Sequence, residues 1–245
     1  MLYAIISDIH SNLEALDSVL DKIKGLKVEE IICLGDVVGY GANPNECISV
    51  LKKHNVRCIA GNHDTRATGQ KEPDSFNPKA QVSVFWTREN IDIESLAYLS
   101  KLPESIIINE EVIAFHGQID STDDYLLSME DVRINFSLLD DMAPLKILLY
   151  GHTHKPAIHE RTKSGMIEEK CTLACTLSND RSYLINPGSV GQPRDHDPRA
   201  SFITLDSSTL KIEHHRVTYD IKSCADKIIE AGLPESLGER LKEGR

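Results

Sequence analysis

The sequence predicts an α/β protein built on a parallel sheet, and three observations carry that reading. From Leu2 to Gly61, short apolar runs alternate with amphipathic helical stretches, the order of βαβ units. The runs are continuously apolar, as strands buried on both faces are. Each run also stops abruptly at Asp, His or Asn, and open α/β sheets hold their ligands at those strand ends.

Taken in order, "LYAIIS" is the first strand. A helix follows in "NLEALDSVLDKIKGL", with Leu13, Leu16, Leu20 and Ile23 at helical spacing, Ser11 or Asn12 as cap, and Gly25 near its end. "EEIICLG" is the second strand, "PNECISVLKKHN" a helix opened by Pro44, and "VRCIAG" the third strand. "PKAQVSVFWTREN" and "IESLAYLSKL" read as helices, and "SIIINEEVIAFHG" as a hairpin turning at Asn109-Glu110-Glu111. Residues Asp120 to Asp141 form a helical excursion, a candidate cap or insertion. "LKILLYG" is a strand, and the stretch to Asn179 is irregular. "SYLINPGS", "ASFITLD" and "KIEHHRV" read as antiparallel strands. A last helix, "YDIKSCADKIIEAG", precedes a charged tail, "ESLGERLKEGR". No repeat or linker divides the chain, so one domain spanning residues 1–245 is expected.

Composition narrows the function. The net charge of −11 argues against a binder of long nucleic acid, whose affinity rests on neutralising phosphates with a basic surface. An acidic protein can still act on a phosphate ester if metal ions supply local positive charge. No apolar run reaches the roughly 20 residues of a membrane span, and "MLYAII" lacks the basic flank of a signal peptide. No membrane partner and a cytoplasmic location are therefore expected. The six cysteines, Cys33, Cys47, Cys58, Cys171, Cys175 and Cys224, contain no CxxC pair and read as reduced thiols.

The strand ends carry the chemistry. The first delivers Asp8 and His10, the second Asp36, and the third Asn62, His63 and Asp64. The hairpin delivers His116, and the strand "LKILLYG" delivers His152 and His154. Any one of these is an ordinary turn, cap or surface residue, as His54, His159, His196, His214 and His215 are expected to be. Five strand ends in order are not. So many carboxylates and imidazoles in one crevice would be costly without cations. Two divalent ions resolve the cost, and the mixed oxygen and imidazole set suits Mn, Fe, Zn, Co or Ni better than Mg or Ca.

"DIH", "GDVVGYG", "GNHD", "FHG" and "GHTH" together resemble the calcineurin-like metallophosphoesterase superfamily, from Asp8 to about Arg199. "GYGANPNEC" and "NPGSVGQPRDHDPRAS" resemble its small bacterial and archaeal branch. The resemblance implies a four-layer αββα sandwich, two mixed β-sheets flanked by helices. It implies Asp8, His10 and His154 on one metal ion, Asn62, His116 and His152 on the other, and Asp36 bridging them. His63 would protonate the leaving oxygen or stabilise phosphoryl charge, and Asp64 would orient it. The implied reaction is in-line attack by a metal-bridging hydroxide on a phosphomonoester or phosphodiester, with nucleotides and dinucleoside polyphosphates among the substrates. The Asp-Arg-Gly of protein phosphatases and symmetrical diadenosine tetraphosphate hydrolases is replaced by Gly39-Tyr40-Gly41, so a phosphate-binding arginine is missing there. Arg194 is the expected substitute, unless Asp195 or Asp197 takes it in a salt bridge. Asn12 and Tyr40 are further candidate substrate contacts. A catalytically silent, protein-binding scaffold of the same fold is the alternative. The oligomeric state is open from sequence.

Overall fold

The computed structural model describes residues 1–170 and 172–245, so Cys171 lies outside the described residues. The first sheet holds β1 (Leu2–Ile6), β2 (Glu30–Cys33), β3 (Arg57–Cys58), β9 (Cys175–Thr176), β11 (Ala200–Asp206) and β12 (Lys211–Val217), in the order β3-β2-β1-β11-β12-β9. The second holds β4 (Ser105–Asn109), β5 (Val112–Phe115), β6 (Ile147–Leu149), β7 (Ala157–Arg161), β8 (Ile167–Glu169) and β10 (Ser182–Asn186), in the order β4-β5-β6-β10-β7-β8. Both sheets are mixed, and with helices outside them they form the expected αββα sandwich.

Strand alternation builds the layers. Tyr3 and Ile5 of β1 face the second sheet, where Val112, Ala114, Ile147, Leu149, Tyr183 and Ile185 meet them. Ala4 and Ile6 face the opposite way, onto α1 (Leu13–Lys24) and α2 (Pro44–Lys53). Those helices supply Leu16, Val19, Leu20, Ile48 and Leu51 to that layer. Each such side chain fully buried contributes about 1.5–3 kcal/mol. On the outer face of the second sheet, α6 (Met129–Asp140) packs Val132, Phe136 and Leu139 against Ile113, Phe115, Leu148 and Leu184. The Asp120–Asp141 excursion is thus a loop followed by a helix that covers this sheet.

Three features differ from the sequence reading. The strand "SYLIN" does not join β11 and β12. As β10 it runs parallel to β6 and antiparallel to β7, in the other sheet. The irregular stretch contains β7, β8 and β9, too short and too polar to show strand periodicity. The charged tail is ordered as α8 (Glu235–Glu239) and a 3-10 turn, Arg240–Lys242. Its Leu237 and Leu241 pack with Ile228 of α7 (Ile221–Glu230), Tyr40, and Ala80 of α4 (Pro78–Asn90). Two further helices, α3 (Asn62–Ala67) and α5 (Ile93–Leu99), complete the chain. No helix among the described residues is long and apolar enough to cross a membrane. The described cysteines, Cys33, Cys47, Cys58, Cys175 and Cys224, are free thiols.

Register positions the site. Parallel pairing sets Ile6 beside Cys33 and Cys33 beside Cys58, so β1, β2 and β3 end together. In the second sheet, Ala114 and Ile185 both pair with Leu149, so β5, β6 and β10 end together. The polar residues that follow these strands meet at one edge of the sandwich.

Candidate metal centre

The loops beyond the strands are tied to one another by backbone hydrogen bonds. Asp8 and His10 donate to the carbonyls of Gly35 and Asp36 at 3.0 Å, and Gly151 donates to His116 at 2.8 Å. This lattice holds Asp8, His10, Asp36, His152 and His154 at φ between 51° and 64°, a region costing about 1 kcal/mol or more for a residue with a Cβ. Strain concentrated on five polar residues in one place is a feature of functional sites. Two glycines make room. A Cβ on Gly61 would collide with Asp36, and one on Gly39 would collide with the His63 ring.

Two groups of side chains then gather. The donor atoms of Asp8, His10, Asp36 and His154 lie within 4.8 Å of one another, and so do those of Asp36, His116 and His152. Asp36 belongs to both. Its Oδ2 is 3.5 Å from His10 Nε2 and 3.4 Å from His116 Nε2. His154 Nε2 is 3.4 Å from Asp8 Oδ1. Asn62 Oδ1 and His116 Nε2 are buried with no hydrogen-bond partner, an expensive arrangement unless a cation completes it.

Backbone carbonyls orient the imidazoles. Nδ1 of His10 faces Val38 O at 3.1 Å, that of His116 faces Leu34 O at 2.7 Å, and that of His154 faces Gln192 O at 2.6 Å. Each Nδ1–H donates there, which turns Nε2 toward the site. His152 is reversed: its Nε2 meets Asp123 O at 3.1 Å, leaving Nδ1 free. Backbone donors fix the carboxylates too. His63 N–H reaches Asp36 Oδ1 at 2.8 Å, and His152 N–H reaches both oxygens of Asp8 at 3.2 Å.

Electrostatics fit the same purpose. Burial pushes Asp8 up to about 7, against the pull of His116. Burial also holds His10 and His154 well below the usual imidazole range, and His152 down to about 3. Burial opposes ionisation of Asp36 and His116 as well. Their mutual attraction overcomes it, keeping the Asp36 carboxyl well below its usual range and raising His116 to about 10. Neutral imidazoles and buried carboxylates are the form in which a cation is bound, with protons released as it enters.

A family model described as the calcineurin-like phosphoesterase superfamily domain matches residues 1–210. The chain belongs to that superfamily. A metallophosphoesterase from Sphaerobacter thermophilus is 34% identical, with TM-score 0.85 and full coverage of both chains. An uncharacterized protein of Methanocaldococcus jannaschii is 41% identical over 248 residues, covering 100% of this chain and 98% of its own. A hypothetical protein of Pyrococcus horikoshii shares the fold at TM-score 0.80 and 22% identity, with 100% of this chain and 98% of that one covered.

Within this calcineurin-like framework, the expected residues fall in different places. His63 lines a cavity of about 370 Å³ with Tyr40, Asn62, Phe76, Tyr125 and His152. Its ring lies 4.4 Å from that of Tyr40 and 4.7 Å from that of Phe76. Asp64 does not orient it. The Asp64 carboxylate accepts from the backbone N–H of Val38 at 3.1 Å and of Gly61 at 2.9 Å, and His63 Nδ1 has no partner. Asp64 therefore ties the second loop to the third. Asn12 is engaged with the backbone of its own loop and its neighbour. Its Oδ1 caps α1 at Ala15 N, 3.1 Å, and its Nδ2 donates to Gly191 O at 2.8 Å. Tyr40 stands against His10, with ring centroids 4.7 Å apart. Arg194 is not taken by Asp195 or Asp197, which pair with Arg216 and Arg199. The Asn186–Ser189 turn is structural: Asn186 donates to Gly151 O at 2.8 Å and Ser189 to Asp8 O at 2.8 Å.

Sequence reasoning missed the loop at Asp123–Tyr125. The Tyr125 ring stacks on His152 at 3.9 Å and 15°. The Asp123 carboxylate pairs with buried Arg66 at 2.7 Å, and Arg66 in turn lies 4.3 Å over the Phe76 ring. No motif marks these residues, because they act through tertiary contacts alone.

Proposed function

We propose that the chain is a cytoplasmic dinuclear-metal phosphoesterase that hydrolyses a small phosphomonoester or phosphodiester, nucleotides and dinucleoside polyphosphates included. The observation that carries this reading is Asp36, whose one carboxylate joins two separate donor groups. Asp8, His10, His154 and Asp36 would hold one transition-metal ion, and Asp36, Asn62, His116 and His152 the second. When bound, such a pair supplies Lewis acidity and a water of lowered pKa. The free thiols suit the reducing location.

The chain's own residues supply the rest. His63 faces the cavity without being part of either donor group, and burial lowers it to about 4. A neutral imidazole there presents one N–H to a phosphoryl or leaving-group oxygen. Tyr40, Phe76 and Tyr125 give the cavity apolar walls for a leaving group. Arg194 offers a guanidinium to phosphate oxygens, which it matches bidentately.

The test is hydrolysis by the manganese-reconstituted protein of p-nitrophenyl phosphate, bis-p-nitrophenyl phosphate, diadenosine tetraphosphate and a phosphopeptide. Metal-dependent release from at least one is expected. Two bound ions with silence on all four would favour the protein-binding scaffold instead.

A further inference from the structure

Arg66 carries a positive charge into the interior, with only 5% of its side chain exposed, and it does not line the cavity at His63. Burying a guanidinium is costly unless fixed partners offset the loss of water. Its partners here are specific. Nη1 lies 2.7 Å from Asp123 Oδ1 and donates to the backbone carbonyl of Asn62 at 3.2 Å. Nη2 donates to Ser75 Oγ at 3.2 Å, and the guanidinium carbon sits 4.3 Å over the Phe76 ring.

Two of these contacts lead to the same metal position from opposite sheets. Asn62 follows β3 of the first sheet, and its Oδ1 is buried without a partner. His152 follows β6 of the second sheet and belongs to the donor group with Asp36 and His116. The Asp123 loop holds His152 in two ways. The Asp123 carbonyl accepts from Nε2 at 3.1 Å, and the Tyr125 ring stacks on the imidazole at 3.9 Å. A carbonyl only accepts, so the proton is on Nε2, and the ring nitrogen left for an ion is Nδ1. The loop closes on itself at its base, where Gln118 N–H donates to Asp124 O at 3.2 Å and Gln118 Nε2 to Tyr125 O at 2.8 Å. Its middle is tied to α3 and the turn beyond it. Besides Arg66, Lys71 Nζ reaches Thr122 Oγ1 and Asp123 Oδ2, each at 3.4 Å.

We infer that Arg66 and Asp123 are positioning residues for the second metal site. Their ion pair fastens the Asp123 loop to α3, so that His152 keeps one tautomer and one orientation opposite Asn62. The pair thereby sets the affinity for the ion at Asn62, His116 and His152, and leaves that for the ion at Asp8, His10 and His154 unchanged. The statement about ions rests on the dinuclear reading above; the statement about the His152 ring does not.

The experiment has two arms, both on the full chain. In the first, the protein in EDTA is studied by nitrogen-15 NMR of its imidazoles. His152 should be a single Nε2–H tautomer in the wild type and a mixture in R66M and D123A. In the second, the stripped protein is titrated calorimetrically with manganese. Asn62→Ala, which removes a donor of the second ion, identifies that ion's step. R66M and D123A should each weaken that step by about 10- to 100-fold, the range for groups that orient metal ligands, and leave the other step unchanged. R66K, which keeps the charge and loses the fork, should lie between R66M and wild type. R133Q, at an exposed pair, should change neither step. Thermal melts check folding, and D123A, in a loop whose Asp123 side chain is 36% exposed, keeps the test in force if R66M is not folded. An unchanged His152 tautomer in both variants, an unchanged second step, or equal weakening of both steps would overturn the positioning role. Fewer than two ions on the wild type would count against the dinuclear reading, and the NMR arm would still decide whether the pair fixes His152.

Discussion

At the scale of single residues, His63 stands apart from the two groups of clustered donor atoms. His63 donates and accepts nothing through Nδ1 and stands among aromatic rings at the cavity. His63→Ala should leave metal content intact and lower turnover by about two to four decades, the range of acid–base groups. Metal analysis and steady-state kinetics check this, and wild-type turnover in the variant would remove His63 from the mechanism. The gathering of Asp8, His10, Asp36, His116, His152 and His154 was legible because each follows an apolar run. Strand ends converge whatever the details of the loops. The hydrogen bonds of Asp64 and Asn12 were not legible for one shared reason. A polar side chain beside a motif can serve the backbone as well as the ligand, and only hydrogen-bond partners distinguish the two. In both cases the side chain's hydrogen bonds go to backbone groups of the neighbouring loops.

Among the elements, β12 offers a test that avoids the metal site. His214 Nε2 meets Ser201 Oγ at 2.8 Å across the β11–β12 pair. Burial, then the charge of Arg216, pushes His214 down to about 4 from 6.5, against the pull of Asp195 and Asp197. Its folded value lies below its unfolded one, so the unfolded chain binds more protons between these values. The stability His214 contributes is therefore full above pH 6.5 and lost as pH falls toward 4. Thermal melts of wild type and His214→Gln should converge as pH drops through that window, and parallel curves would count against it. Long periodic elements such as α1 and α4 were readable from spacing. β7, β8 and β9 were not, since two to five residues of mixed polarity carry no period. The misplaced β10 illustrates a further limit. An apolar run specifies a strand, whereas its partner is chosen by tertiary packing.

In the molecule as a whole, two mixed sheets face each other so that parallel strands from both end at one edge. The first sheet brings Asp8, His10, Asp36 and Asn62 to that edge, and the second brings His116, His152 and His154. Neither sheet alone supplies either complete donor group. The C-terminal helices, which read as a charged tail, pack Leu237 and Leu241 into one cluster with Tyr40.

The most direct test is metal content, measured by mass spectrometry after reconstitution and desalting, for wild type and Asp36→Asn. The expected result is two divalent ions per chain in the wild type, with at least one lost from the variant together with hydrolysis. Full occupancy by two ions in Asp36→Asn, or fewer than two in the wild type, would contradict a dinuclear centre joined through Asp36.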